Sequence, residues 1–301
     1  MNYNLITILG PTAVGKTKLA AQLAHHFNGE IISADSRQVY KNLDIGTGKD
    51  LNDYVVEGKL INYHLIDITE LPDEFNLFDF YKIFFQYYHK IKANRKTPFL
   101  VGGTGLYLSS VIQNYDLKEV ENEKEFRNSL QQKSYDELKK ILLELNPTPH
   151  NITDFESKER IIQAIIVVKA QKPVENKIEI HSLNIGINPG RDVVKNRIKE
   201  RLEKRLNEGM IQEVEALLNK NIEPKRLIRL GLEYKFITEY LIGKISFEQM
   251  KNDLFKAICA FAKRQMTWFR KMEREGVQIF WLNEADFNKA KEIIQSNYEF
   301  V

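Results

Sequence analysis

Apolar residues in this chain come in two alternating rhythms. Leu5-Ile6-Thr7-Ile8-Leu9 is a short continuous run, long enough for a buried strand and too short for a helix. Residues 16–27 follow, with Leu19, Ala20, Leu23, Ala24 and Phe27 recurring at helical spacing along one face. The alternation then repeats. Residues 30–34 read as a strand, residues 61–68 as another, and residues 75–91 as an aromatic-rich helix with Phe78, Tyr81, Phe84, Phe85 and Tyr88 facing a core. Residues 97–101 make a further strand and residues 106–113 a helix. Strands that alternate with helices predict an α/β fold, a parallel sheet flanked by helices.

From about Tyr115 to Lys177 the strand–glycine–helix units stop. Charged helical runs near 123–132, 135–145 and 157–170 replace them, with a break at Pro147-Thr148-Pro149. This predicts a helical insertion at 115–180 between two parts of one core, 1–114 and 181–301. The second part holds a short strand at 185–187 and two helices within 191–218 parted at Glu208-Gly209. On the first of these, Val194, Ile198, Leu202 and Leu206 fall four apart. A long helical pattern at 248–274, a strand at 277–282 and a closing helix at 289–295 complete it.

Chemistry gathers where predicted strands end. Gly10-Pro11-Thr12-Ala13-Val14-Gly15-Lys16-Thr17 fits G-x-x-x-x-G-K-[ST], between a strand and a helix as that pattern requires. Such a loop curls backbone N–H groups round linked phosphates, with Lys16 neutralising their oxygens and the Thr17 hydroxyl as a magnesium ligand. Asp35 closes the next strand, a place for chemistry or for capping a turn at Ser36. The strand at 97–101 breaks into Gly102-Gly103-Thr104-Gly105, where an ordinary phosphate-loop NTPase would carry a magnesium-holding Asp. Asp67 is a weak substitute, and Asn219-Lys220-Asn221-Ile222 lacks the Asp of guanine recognition. Motor and switch roles lose ground; a small-molecule kinase or a diphosphate-releasing transferase remains. His64 has no second His or Cys at ligand spacing and reads as structural.

Composition adds limits. The 301 residues, 43% hydrophobic and 28% charged, suit a folded core with a smaller second domain. A single cysteine, Cys259, allows no internal disulfide and fits a small apolar role in a reducing cytosol. No signal peptide and no membrane-length apolar run are apparent, so a cytoplasmic protein with no membrane partner is expected. Net charge is only +3, but residues 191–270 hold eighteen Lys and Arg against eleven Asp and Glu. A basic portion beside a phosphate-gripping portion suits an enzyme acting on a polyanion.

Five stretches in order resemble the tRNA dimethylallyltransferases: Gly10–Thr17; Ile32-Ser33-Ala34-Asp35-Ser36-Arg37-Gln38-Val39-Tyr40 with Asp44-Ile45-Gly46-Thr47; His64-Leu65-Ile66-Asp67; Val101-Gly102-Gly103-Thr104-Gly105-Leu106-Tyr107; and Ala262-Lys263-Arg264-Gln265-Met266-Thr267-Trp268-Phe269-Arg270. The resemblance implies transfer of a dimethylallyl group from its diphosphate to an adenine amine beside the anticodon, with Asp35 as base and Thr104 orienting the amine. It further implies that the 10–17 loop holds the diphosphate with magnesium and an arginine, Arg229 or else Arg226. Contacts to tRNA would come from Asp35, Ser36, Arg37, Gln38 and Thr104, from Arg127, Arg160 and Gln163 in the insertion acting as an anticodon stem-loop clamp, and from Lys263, Arg264 and Gln265. Trp268 and Phe269 read as core packing. Two departures fall on the tRNA side: Gln163 stands where an R-x-x-R-A pattern has its second arginine, and Leu230-Gly231-Leu232-Glu233-Tyr234-Lys235 replaces a basic G-Y-[RK] segment. Competing readings are an isopentenyltransferase for free adenine nucleotide, a small-molecule kinase, and a nucleotide-gated RNA-binding module. A monomer is the default.

Overall fold

The computed structural model describes residues 2–119, 123–146, 155, 157–170, 172–174 and 176–300. Pro147-Thr148-Pro149 lies outside them. The chain divides into two compact units, Met1–Asn114 with Glu179–Val301, and Tyr115–Ile178.

The larger unit is built on a six-stranded parallel sheet. Its strands are β1 (Leu5–Leu9), β2 (Gly29–Ala34), β5 (Tyr63–His64), β6 (Thr97–Gly102), β9 (Ser182–Ile187) and β10 (Ile279–Leu282), in the order β10-β9-β1-β6-β2-β5. Between β2 and β5 lies a small hairpin of β3 (Val55–Val56) and β4 (Lys59–Leu60). β1 and β6 have every side chain buried, as expected of a parallel sheet covered on both faces. The helices α1 (Lys16–His26), α2 (Leu77–Ala93) and α3 (Gly105–Ile112) follow their strands. The expected strand at 61–68 is reduced to two residues in the sheet, because Leu65 and Asp67 adopt left-handed backbone (φ 64° and 56°) and turn the chain away.

α2 starts at Asn76, whose side chain accepts from the Phe78 and Asp79 amides while Asp79 returns a bond to the Asn76 amide. It buries Phe80, Tyr81, Phe84, Phe85, Tyr88 and Ile91, each contributing about 1.5–3 kcal/mol by leaving water. Phe80 stacks on Tyr107 of α3 at 4.1 Å between ring centres.

In the second unit, α4 (Glu123–Gln131), α5 (Tyr135–Leu145) and α6 (Lys158–Lys169) close on a separate apolar core that includes Leu130, Leu138, Leu142, Ile161 and Ile165. β7 (Lys118–Glu119) pairs antiparallel with β8 (Lys172–Pro173).

After β9 come α7 (Arg191–Asn207), α8 (Met210–Asn219), α9 (Pro224–Leu230), α10 (Leu232–Leu241), α11 (Phe247–Arg274) and α12 (Phe287–Asn297). On α7 the buried row is Val194, Ile198, Leu202 and Arg205; the 3.6-residue turn carries the inner face to Arg205, leaving Leu206 half-buried. No helix among the described residues is long and apolar enough to cross a membrane.

His64 is structural, as expected. Its Nε2 lies 2.7 Å from Glu30 and its ring stacks on Tyr87 at 4.3 Å. Glu30 also accepts from Lys96 (2.7 Å) and Asn62 (2.9 Å). Burial disfavours the charged carboxylate, but the hydrogen bonds from Lys96, Asn62 and His64 outweigh it and hold its pKa at about 2. A carboxyl with a depressed native pKa stabilises the fold above its unfolded value of 4.5, and that contribution fades as pH falls toward 2. Glu30→Gln is expected to lower stability at pH 7 by about 2–4 kcal/mol. The gap to wild type should close between pH 4.5 and 2, as followed by urea unfolding across that range.

Candidate active site

Register determines which loops meet. Leu9 of β1 pairs with Gly102 of β6, and Ala34 of β2 pairs with the same Gly102. The loop at 10–15, the turn at Asp35 and the turn at Gly103-Thr104 therefore leave the sheet in one layer beyond its carboxyl edge, where ligands of open α/β sheets gather.

The 10–17 loop has the geometry of an anion cradle. Ala13 and Gly15 adopt left-handed backbone (φ 64° and 84°), which curls the chain ahead of α1. α1 has Gly15 at its N-cap and no side-chain cap, so its first-turn N–H groups and positive end remain available to a ligand. Lys16 Nζ reaches back to the Pro11 carbonyl at 2.6 Å. Burial, followed by repulsion from Arg201, pushes the Lys16 pKa down to about 7, with Asp35 pulling the other way. That is an electrostatic field short of negative charge.

Asp35 both caps and faces the site. Its Oδ1 accepts from the amides of Arg37 (2.9 Å) and Gln38 (3.3 Å), so the capping role holds. Among the described residues its Oδ2 takes no hydrogen bond. Thr104, at the N-cap of α3, makes no cap to its own helix; its hydroxyl accepts from the Ser36 amide at 3.2 Å. Asp35 and Thr104 are thus joined through one turn. The Gln38 side chain turns inward, donating to the Gly48 carbonyl at 3.1 Å.

Gln265 joins the two glycine loops. It is one position of the buried α11 stripe that runs Met250, Leu254, Ile258, Ala262, Gln265, Phe269 and Met272. Its Oε1 accepts from the Thr12 amide (2.9 Å) and its Nε2 donates to the Gly103 carbonyl (2.8 Å). The expected contact to tRNA is therefore corrected: both ends of this amide are engaged inside the protein. Its neighbours Lys263 and Arg264 are exposed. Phe269 is fully buried, and Trp268 packs over Gly105 with its indole N–H on Ser109, which supports the core reading.

The arginine expectation also changes. Arg229 is exposed and pairs with Glu74 at 3.5 Å, while Arg226 donates to the carbonyls of Pro72 and Asp73. α9 directs both toward the segment before α2 and not to the phosphate loop. The arginine on that loop is Arg201 of α7, whose guanidinium donates to the Thr12 hydroxyl. Burial, then Arg205 one turn away, lowers the Arg201 pKa to about 10, against the pull of Glu233, Asp50 and Asp35. Arg205 is itself buried and pairs with Asp50 at 3.2 Å. A sequence signal existed: Arg201 and Arg205 sit i, i+4 on the face of a helix otherwise turned toward the core. Asp67, weighed as a metal holder, pairs instead with the buried Lys49.

In the helical unit Arg127 donates to Gln163 at 2.7 Å, so α4 and α6 present these two expected contacts side by side. Arg160 lies in the first turn of α6, its amide capped by Ser157.

A family model described as IPP transferase matches residues 38–272, and another described as isopentenyl transferase matches residues 3–63. The chain belongs to the IPP transferase family. The tRNA dimethylallyltransferase 1 of Azobacteroides pseudotrichonymphae is 50% identical over 296 residues, which are 97% of this chain and 96% of that one. The protein of the same name in Parabacteroides distasonis is 49% identical over 286 residues, 94% and 93% of the two chains. The crystal structure of the tRNA isopentenylpyrophosphate transferase of Bacillus halodurans superposes with a TM-score of 0.68 at 31% identity, covering 98% of this chain and 95% of that one. A eukaryotic dimethylallyltransferase, at a TM-score of 0.74 and 23% identity, shares the fold over 99% of this chain and 81% of its own. As an IPP transferase the chain is a prenyltransferase that modifies tRNA.

In this IPP transferase the Gln265 bridge is open to direct measurement. Gln265→Leu preserves the apolar stripe but strands a donor and an acceptor in buried surroundings, an expected loss of about 2–5 kcal/mol. Gly103→Ala, whose Cβ would stand 2.3 Å from Gln265 Nε2, displaces the same amide. In chemical denaturation the double variant should lose no more than the larger single loss.

Proposed function

We propose that the chain transfers a dimethylallyl group from dimethylallyl diphosphate to the N6 amine of an adenine beside the anticodon, with Asp35 as the base. The observation that carries this is the coupling of Asp35 to Thr104 through Ser36, in the same layer as an uncapped phosphate loop. In the step, the adenine nitrogen forms a bond to the allylic carbon while that carbon's bond to oxygen breaks. Diphosphate leaves with the electron pair, and the amine proton goes to Asp35 Oδ2. The exocyclic amine is a poor nucleophile because its lone pair is delocalised into the ring, so loss of the proton must accompany bond formation. Thr104 orients the amine.

Charge builds on the departing diphosphate, where the loop amides, Lys16 and Arg201 stabilise it. The cation excess around Lys16 supports a dianionic or trianionic ligand at this position. A cavity of about 870 Å³ beside Pro11 supports a donor with a hydrocarbon tail, since Val194, Ile198, Phe255 and Met266 line it. Among the described residues no group of three His, Cys, Asp or Glu could hold a metal. Of the two hydroxyls in the loop, that of Thr12 is engaged by Arg201, and that of Thr17 is a hard oxygen that fits a magnesium ion carried mainly by diphosphate oxygens and water. Bound there, magnesium would add positive charge against the leaving group.

Arg37 and Ser36 meet the flipped base and its neighbours, and extrusion of that base is what chemistry on a stacked purine requires. Arg127, Arg160 and Gln163 grip the anticodon stem-loop, with Lys263 and Arg264 as further phosphate contacts. In this reading the enzyme acts as a monomer in the cytoplasm.

Radiolabelled dimethylallyl diphosphate offered with tRNA, with AMP and with neither tests the reading. Label in tRNA alone is expected; label in AMP, or none, overturns it. Asp35→Asn should lower kcat by about 10²–10⁴-fold while diphosphate binding, followed by calorimetry, stays within a few-fold. An unchanged kcat would remove Asp35 from the mechanism.

A further inference from the structure

The segment around Glu233, which replaces a basic G-Y-[RK] pattern, puts a carboxylate where a tRNA-modifying site should avoid one. Glu233 lies in the first turn of α10, its side chain 8% exposed, and its Oε2 is 3.6 Å from Arg37 Nη1. Removing a carboxylate from water is costly unless a cation answers it; Arg37 is the cation in direct contact, with Arg201 adding a longer-range pull. The Arg37 side chain is only 23% exposed and is enclosed on several sides. Its guanidinium lies over the Phe261 ring of α11 at 5.8 Å. Gly231, at φ 75°, gives it room: a Cβ there would come within 3.3 Å of Nη2. Its own amide is held by Asp35. A flexible arginine, which would otherwise lose about 2 kcal/mol of rotamer freedom on ordering, is fixed before substrate arrives.

We propose that Glu233 is a positioning residue that locks Arg37 against Phe261 so that the free edge of its guanidinium meets a backbone phosphate of the anticodon loop beside the target adenine. This rests on the reading of residues 35–38 as acceptor contacts. A guanidinium offers N–H groups in a planar fork, so one edge can answer a carboxylate while another takes phosphate oxygens. The arrangement also explains why a departure from a basic pattern is tolerated: the lost positive charge is exchanged for a fixed direction on an existing one.

Bulk electrostatics and positioning predict opposite signs. If Glu233 merely repels RNA, Glu233→Gln removes a negative charge and tightens binding. If it positions Arg37, Glu233→Gln weakens binding although the site becomes more positive. The test is steady-state prenylation of a synthetic anticodon stem-loop RNA by wild type, Glu233→Gln, Arg37→Ala, the double variant and Phe261→Leu. The expected result for Glu233→Gln is a KM for RNA raised about tenfold, with kcat and the donor KM within about threefold of wild type. The double variant should match Arg37→Ala alone. Because Arg264 also lies over the Phe261 ring at 5.9 Å, Phe261→Leu is compared in an Arg264→Ala background, where it should still raise the RNA KM. A fall or no change in the RNA KM for Glu233→Gln overturns the proposal, as does additivity in the double variant. Should thermal melting show Glu233→Gln to be unfolded, Phe261→Leu in the Arg264→Ala background decides, with an unchanged RNA KM counting against. A wild-type enzyme that labels no RNA would instead sink the functional reading beneath it.

Discussion

Three parallel strands that end at one height determine what this molecule can do. Pairing Leu9 and Ala34 with the same Gly102 brings a phosphate loop, a carboxylate and a hydroxyl to a common level, though the sequence separates them by up to ninety-odd residues. A register slip of one residue on β2 would turn Asp35 to the opposite face of the sheet. The hydrogen bonds of Gln265 act on top of this register. They tie the amide of Thr12 to the carbonyl of Gly103, so the phosphate loop and the second glycine turn are fixed to one another. Bond formation between two substrates demands such mutual placement, since errors near 1 Å are already costly in rate.

The electrostatics follow from the same packing. α7 brings Arg201 to a loop that already carries Lys16, and Arg201 is repelled by both Lys16 and Arg205 in surroundings that weaken its hydration. Asp35 and Asp50 answer part of that charge, as their pull on Arg201 indicates. The remainder is left for a ligand. A site of this kind binds anions partly because it is costly when empty, and it holds a leaving group better as negative charge accumulates. The carboxylate of Asp35 sits at the edge of the same field, its Oδ1 held by the amides of Arg37 and Gln38.

Much of this was legible in the chain, and the failures have physical causes. Strand-glycine-helix units revealed the sheet because apolar runs of five or six residues have little freedom to be anything else in that context. The phosphate loop, Asp35 and Thr104 were legible because each ends such a run. Gln265 was misread for want of one step: it falls on the apolar stripe of α11, and a polar group on a buried stripe has to find partners within the protein. Arg205 fell to the same error on α7, where counting by fours favoured Leu206 and the true turn of 3.6 residues selected its neighbour. Arg229 and Arg226 were invisible in a different way. A short helix after a proline can point its arginines in any direction, and only packing against Tyr40 and the segment before α2 fixes it. The two-residue β5 reflects backbone choices at Leu65 and Asp67, residue types from which left-handed geometry is hard to foresee.

What the second glycine turn lacks is as informative as what the first contains. A nucleotide-hydrolysing enzyme built on this sheet keeps an aspartate after the strand beside the phosphate loop, because water must be activated and magnesium held against phosphorus chemistry. Here β6 ends at Gly102, with Gly103 and the Thr104 hydroxyl next, and the carboxylate of Asp35 lies one strand over, just past the end of β2. Gly103 has no side chain to obstruct the space, and the Gln265 amide closes the gap behind it. In the proposed scheme the base is therefore set apart from the phosphate-holding groups, on a turn that bonds to Thr104 through the Ser36 amide. Attack at carbon, with phosphorus as a bystander, calls for that division: one region takes up negative charge while the other removes a proton. A fold usually associated with breaking phosphate bonds can in this way serve to expel a diphosphate intact, with its cradle unaltered and only the neighbouring strand end rewritten.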